Sequence, residues 1–309
     1  MQRYEEIVPE ELANPLSYPY VVKLFIHFPS REKAEICTGA LITRSLVITA
    51  GHCVSTDYEV AASLEVQFPP GVLRGRYSVR KVFGIIRTFP PDDDFTGEEQ
   101  VDIAILELAV EINICNRTCI HYPYIPILRL PIRNIYNITW QPLNLGPKIY
   151  TNCTLLGYGK TASGVHNLRQ ISNMALWHLN HRFLVPLLSA ESQGRTCYGD
   201  SGGPTVCYSR NGTPILYGIT SFSIGQLDLQ SRKLRCYDED STYLVDVLTD
   251  VQYILPRLRE ILIREGKLDE FLYDNKKSKA MDTVNALGLL LADNVTLPLV
   301  NMKTIYPRI

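Results

Sequence analysis

The chain has 309 residues, 46% hydrophobic and 20% charged, with 31 Lys and Arg against 32 Asp and Glu and a formal net charge of −1. This is the composition of one large or two medium globular domains, and it excludes a disordered or collagen-like chain. Without a basic excess nucleic acid is not an expected partner, and the longest apolar runs, such as 286–292, are far too short to span a membrane.

The start, Met1 to Glu6, is charged and holds no apolar signal core. From about Pro19 to Val247, short apolar or alternating runs are separated by Gly, Pro, Asn and Asp; examples are 20–28, 41–50, 77–88, 103–108 and 216–221. Runs of that length, rich in Val, Ile, Leu and Tyr, predict an all-β sandwich or barrel. The stretch 134–147, rich in Asn and Pro, reads as the connection between two β units. Helical spacing comes late: Val247, Val251, Ile254, Leu255, Leu258, Ile261 and Leu262 recur mostly at intervals of three and four. Pro256 is expected to kink this helix or to start a second one. Beyond it, Lys276 to Lys279 reads as a solvated linker and 280–291 as a short helix. No repeat of fixed period occurs.

Eight cysteines, at 37, 53, 115, 119, 153, 197, 207 and 236, lack the paired spacing of a zinc ribbon, so no metal is expected. Asn116, Asn137, Asn152, Asn211 and Asn294 each open an Asn-x-Ser/Thr acceptor site. Together these features predict a secreted, disulfide-bonded glycoprotein, and for the charged start a missing leader is favoured over a truncated gene model or a different compartment.

Three segments carry chemistry: Leu46-Val47-Ile48-Thr49-Ala50-Gly51-His52-Cys53, Val101-Asp102-Ile103-Ala104-Ile105-Leu106 and Cys197-Tyr198-Gly199-Asp200-Ser201-Gly202-Gly203-Pro204. Singly, each has a plain structural reading: a core histidine, a turn-capping acid, a glycine loop. Jointly they supply what a serine nucleophile needs. A hydroxyl is weakly nucleophilic and requires a neighbouring base that titrates near the working pH, which imidazole supplies. The imidazole in turn needs a carboxylate to fix its tautomer, and glycines let backbone N–H groups converge on an oxyanion.

On these three motifs the chain resembles the trypsin/chymotrypsin-like serine peptidases over roughly residues 7–265. The resemblance implies two six-stranded antiparallel β-barrels with the active site between them, followed by a C-terminal helix and extension. It divides the chain into a pro-segment remnant (1–6), a peptidase domain (7–265; barrels at about 20–130 and 148–247, helix at 247–265) and an extension of unassigned role (266–309). It implies His52 as general base then acid, Asp102 as its orienting partner and Ser201 as nucleophile, with the N–H groups of Gly199 and Ser201 as oxyanion hole. It also implies disulfides Cys37–Cys53, Cys153–Cys207 and Cys197–Cys236, leaving Cys115 and Cys119 to bridge each other.

In such a zymogen, cleavage before Ile7 would free an amino group to pair with Asp200. Here Pro9-Glu10 replaces the usual glycines and Glu6 precedes the bond, so a trypsin-like activator would not cut there. Family spacing puts Arg195 at the base of the primary pocket, where it could pair bidentately with an acidic substrate side chain, unless Asp238, Glu239 or Asp240 neutralises it. Ser221, Phe222 and Ser223 take the place of the edge that pairs with substrate backbone, with Ser221 also helping to hold Asp102. The acidic stretch Asp92 to Glu99 reads as a solvated loop without calcium-loop spacing.

The leading expectation is a secreted, monomeric serine endopeptidase, free of cofactors, that acts on protein or peptide substrates through an acyl-enzyme and is open to a protein inhibitor. The alternatives are a catalytically silent homologue that binds a partner, and a precursor that gains activity only after cutting before Ile7.

Overall fold

The computed structural model describes residues 11–56, 58–86, 101–112, 129–131, 149–160, 164–179, 182–187, 196–209, 212–224 and 245–274. Ile7, Arg195, Cys115, Cys119, Cys236, Asp92 to Glu99, Asp238 to Asp240, the connection 134–147 and the tail from 275 lie outside them.

After a two-residue strand β1 (Glu11–Leu12) come β2 (Val21–His27), β3 (Glu35–Leu41), β4 (Leu46–Thr49), β5 (Ser63–Gln67), β6 (Tyr77–Ile86) and β7 (Ile103–Leu108). These six, β2 to β7, close an antiparallel barrel in the order β2-β3-β4-β7-β6-β5. The next six are β8 (Ile149–Gly157), β9 (Arg169–His178), β10 (Phe183–Leu187), β11 (Pro204–Tyr208), β12 (Pro214–Ile224) and β13 (Val245–Asp250). They form a second ring, β8-β9-β10-β13-β12-β11 and back to β8, with β1 added along β9.

Alternation decides which side chains fill the barrels. Along β2, Val22, Leu24 and Ile26 are fully buried while Lys23, Phe25 and His27 are half-buried. Strand β7 is buried on both sides, which is why it reads as a continuous apolar run. The expected strand over 41–50 is broken in two. Thr43 Oγ1 accepts from the N–H groups of Ser45 and Leu46, so a side chain competes with the ladder and turns the chain between β3 and β4.

Val247, expected in the helix, lies in β13 opposite Phe222. The helix α1 spans Val251–Arg264, because the Asp250 carboxylate accepts from Gln252 N at 2.8 Å and caps its start. Pro256 sits inside α1 and does not end it. The face made by Val251, Ile254, Leu255, Leu258, Ile261 and Leu262 is buried, each side chain contributing roughly 1.5–3 kcal/mol. Thus α1 leaves the second barrel and packs on the first, with Ile261 over Gly84 of β6.

Residues 268–274 form a second helical segment tied to the first barrel. Glu270 accepts from Thr43 Oγ1 and Ser45 Oγ, Asp274 accepts from Arg44 N and Nε, and Phe271 is fully buried. Residues 266–274, read from the sequence as the start of an extension, are therefore part of the body. Glu107, buried in β7, is bonded by Arg80 and Lys267. The hydrogen bond from Arg80 outweighs burial and, with Lys267, brings the Glu107 carboxyl down from 4.5 to about 2. A depressed carboxyl stabilises the fold above its unfolded pKa, and that stability is lost as pH falls from about 4.5 toward 2. Glu107→Gln should lower stability at neutral pH by about 2 kcal/mol and flatten its acid dependence over that window, as read by urea denaturation.

Candidate active site

Strand register delivers the first two motif residues to one place. Strands β4 and β7 pair Ile48 with Ile105 and Thr49 with Ala104. Carried past the strand ends, the same register sets Gly51 opposite Asp102, one residue short of His52. The short 3₁₀ turn Gly51–Cys53 completes the approach. His52 N donates to Asp102 Oδ1 at 2.8 Å, and His52 Nδ1 lies 2.6 Å from Asp102 Oδ2. The second barrel adds Ser221 Oγ, which donates to the same Oδ2 at 2.6 Å. Thr249 Oγ1 reaches the Asp102 carbonyl at 3.4 Å.

Asp102 is buried. Burial works against its charge, yet the His52 imidazole and the hydrogen bonds from His52 and Ser221 hold its carboxyl below the usual range. Oδ2, occupied by Ser221, can still accept from Nδ1–H, which leaves Nε2 as the unprotonated nitrogen of a neutral ring.

Ser201 sits on a loop pinned between the barrels. Thr38 N of β3 donates to Ser201 O at 2.9 Å, and the Cys53 sulfur lies 3.6 Å from that same oxygen. On the other side, Gly202 N donates to Thr220 O at 2.7 Å. Gly202 has φ +79°, and a Cβ there would stand 2.0 Å from Thr49 Oγ1 and 2.3 Å from Thr38 O. The residue after Ser201 must therefore be glycine for the loop to lie against the strand end that leads into His52. Gly199, at φ +103°, has its carbonyl bonded by Thr38 Oγ1 at 2.7 Å.

The Asp200 side chain is turned inward. Gly159 N donates to Oδ1 at 2.5 Å, Cys197 N to Oδ2 at 2.8 Å, and Arg169 Nη2 is 3.6 Å from Oδ2. Burial pushes the carboxyl up to about 6 although Arg169 and the two N–H groups pull it down.

Ser223 Oγ donates to Asp246 Oδ1 at 2.8 Å, and Asp246 also accepts from Thr196 N and Oγ1. Phe222 packs edge-on against Phe183. Disulfides join Cys37 to Cys53 and Cys153 to Cys207, and Cys197 is also disulfide-bonded. With both sulfurs bonded, Cys37 and Cys53 cannot act as thiolate ligands beside His52.

Three residues that matter here were not singled out by the motifs. Arg169 had the clearest signal, a basic residue at a buried position of an alternating strand. Asp246 is a charge in an otherwise apolar run, and Thr38 carries no sequence signal beyond its place after Cys37.

A family model described as Trypsin matches residues 7–233, more than half of the sequence. The chain belongs to the trypsin family. Its trypsin-family relatives include neutrophil elastase of Mus musculus, 26% identical over 230 residues, covering 71% of this chain and 73% of the elastase. Urokinase-type plasminogen activator of Gallus gallus is 25% identical over 245 residues, covering 72% of this chain and 52% of that protein. Coagulation factor XI of Bos taurus is 26% identical over 219 residues, covering 66% and 32%. The solved structure of HL collagenase superposes with TM-score 0.56 at 18% identity, covering 82% of this chain and 97% of the collagenase, a likeness of fold alone.

The Ser221 bond to Asp102 gives this trypsin-family site a measurable pH signature. Removing the donor raises the Asp102 carboxyl toward 3.8, which subtracts stability above the carboxylate range and little below it. Ser221→Ala should cost about 1.5–3 kcal/mol at neutral pH, with the gap to the parent closing as pH is lowered through that range.

Proposed function

We propose that this chain is a serine endopeptidase in which His52, Asp102 and Ser201 act together. The observation that carries the reading is the buried, doubly bonded His52–Asp102 contact beside a Ser201 loop bonded to Thr38 of β3 and Thr220 of β12. In this mechanism Ser201 Oγ attacks the substrate carbonyl carbon while its proton passes to His52 Nε2. Asp102 stabilises the imidazolium, and the N–H groups of Gly199 and Ser201 receive the oxyanion. Collapse breaks the C–N bond, the amine leaves with the proton from His52, and an ester to Ser201 remains. Water then repeats the sequence, giving up its proton to His52 and releasing the acid and the free serine.

The substrate class is protein, in keeping with the family. A preference for an acidic residue before the cut bond rests on Arg195. A second reading of specificity, for basic residues, rests on Asp246, whose carboxylate joins Thr196 and Ser223, the segments that wall the primary pocket in this family. A cleavage profile from a peptide library decides between them. Glu and Asp dominate if Arg195 governs, Lys and Arg if Asp246 does.

An extracellular, glycosylated protein belongs to the same reading. Its support is the disulfides, the acceptor sites, of which Asn152 is exposed on β8, and the kinship with elastase, urokinase and factor XI.

Fluorophosphonate labelling tests the chemistry. The chain should be labelled at Ser201 by mass spectrometry, Ser201→Ala should abolish labelling and peptide cleavage, and Asp102→Asn should slow cleavage by about 10⁴. A folded chain that takes no label, whether intact or cut before Ile7, would be the silent binding homologue instead.

A further inference from the structure

The Asp200 carboxylate adjoins Ser201 and is sealed inside the protein, so its charge needs a fixed partner. Among the described residues the cation beside it is Arg169, the first residue of β9, itself buried, with Nη2 3.6 Å from Oδ2. Arg169 is held in place from both sides, opposite Gly157 of β8 and Leu12 of β1. Its backbone position therefore comes from sheet register and is already set in the uncut chain. The Ser201 loop is tied to the same carboxylate through Cys197 N, which bonds Oδ2, and is closed by backbone bonds from Asp200 N to Cys197 O and from Gly203 N to Asp200 O.

Among the described residues, the other charged groups nearby bond elsewhere. Asp246 of β13 adds a second negative charge felt by Asp200. His166 has Nδ1 2.7 Å from Tyr158 O, and Lys23 Nζ of β2 donates to His166 O at 2.9 Å. The sequence around Ile7, with Glu6 before it and Pro9-Glu10 after it, also lacks the site a basic-specific activator would cut.

We propose that Arg169 is the positioning residue that supplies the counter-charge of Asp200, so that the uncut chain already holds its Ser201 loop in working order. The inference rests on the serine-peptidase reading and adds that no new amino terminus is required. A guanidinium stays charged across the whole working range, whereas an α-amino group titrates near pH 8 and a lysine near about 10.4.

The experiment uses the full chain, shown by intact mass to be uncut, and a fluorophosphonate probe from about pH 7 to 10. The intact parent should be labelled at Ser201 at a rate that holds level through pH 8 to 10. Arg169→Gln should lose labelling by about 100-fold or more. Arg169→Lys, whose ammonium stays mostly charged up to about pH 10, should recover much of it across that range. Labelling of the parent only after cutting before Ile7, or a fall in rate between pH 8 and 10, overturns the role of Arg169 and leaves the peptidase reading standing. A folded Arg169→Gln chain that labels as fast as the parent does the same. If Arg169→Gln does not fold, the pH profile of the parent decides alone. No labelling in any form, cut or uncut, removes the peptidase reading itself.

Discussion

A carboxylate taken out of water is tolerated only when every lone pair it keeps charged finds a donor, and Asp102 sets that condition at the seam of the two barrels. Two of its donors, His52 N and Nδ1, come from the first barrel, and the third, Ser221 Oγ, comes from the second. The barrels cannot slide past one another without stripping the carboxylate of a partner. The energetic demand of one buried charge thus becomes a geometric demand on the His52 ring, whose tautomer and orientation follow from it.

The same logic recurs on the other side of the seam. Asp200 is sealed in with two backbone donors and a guanidinium, and Thr38 ties the two regions together. Thr38 uses its N–H on Ser201 O and its hydroxyl on Gly199 O, while that hydroxyl accepts from Tyr158 N and its carbonyl accepts from Thr49 Oγ1. The seam is polar and densely hydrogen-bonded, whereas the barrel cores are mainly aliphatic and aromatic. Apolar packing tolerates exchange of one hydrophobe for another of similar volume, and a hydrogen-bonded buried charge does not. That contrast fits a chain only 26% identical to mouse neutrophil elastase that still carries the family's motifs.

The C-terminal part acts on the seam from outside. Helix α1 continues from β13 of the second barrel and buries its apolar face on the first, and Glu270 and Asp274 then fasten to the turn at Thr43, Arg44 and Ser45. That turn separates β3, which carries Thr38, from β4, which leads to His52. The helical periodicity announces α1 but places its start at Val247, because apolar spacing cannot tell a buried strand from a helix over one turn. The Asp250 cap, a polar contact, sets the boundary. The anchoring of 266–274 has no periodic signal, since hydrogen bonds between residues more than 200 positions apart leave no local pattern.

By itself the sequence determined the local grammar: alternating runs that must be strands, a late helix, and three motifs whose residue types suit one chemistry. Those features are legible because they depend on neighbours within a few residues. What depends on distant partners was decided only by the folded chain: that Arg169 meets Asp200, that Asp246 joins Thr196 to Ser223, and that Thr38 spans the barrels. Burial is the physical reason, for a charged side chain reads as solvated in any sequence until the fold removes its water and obliges it to find a partner.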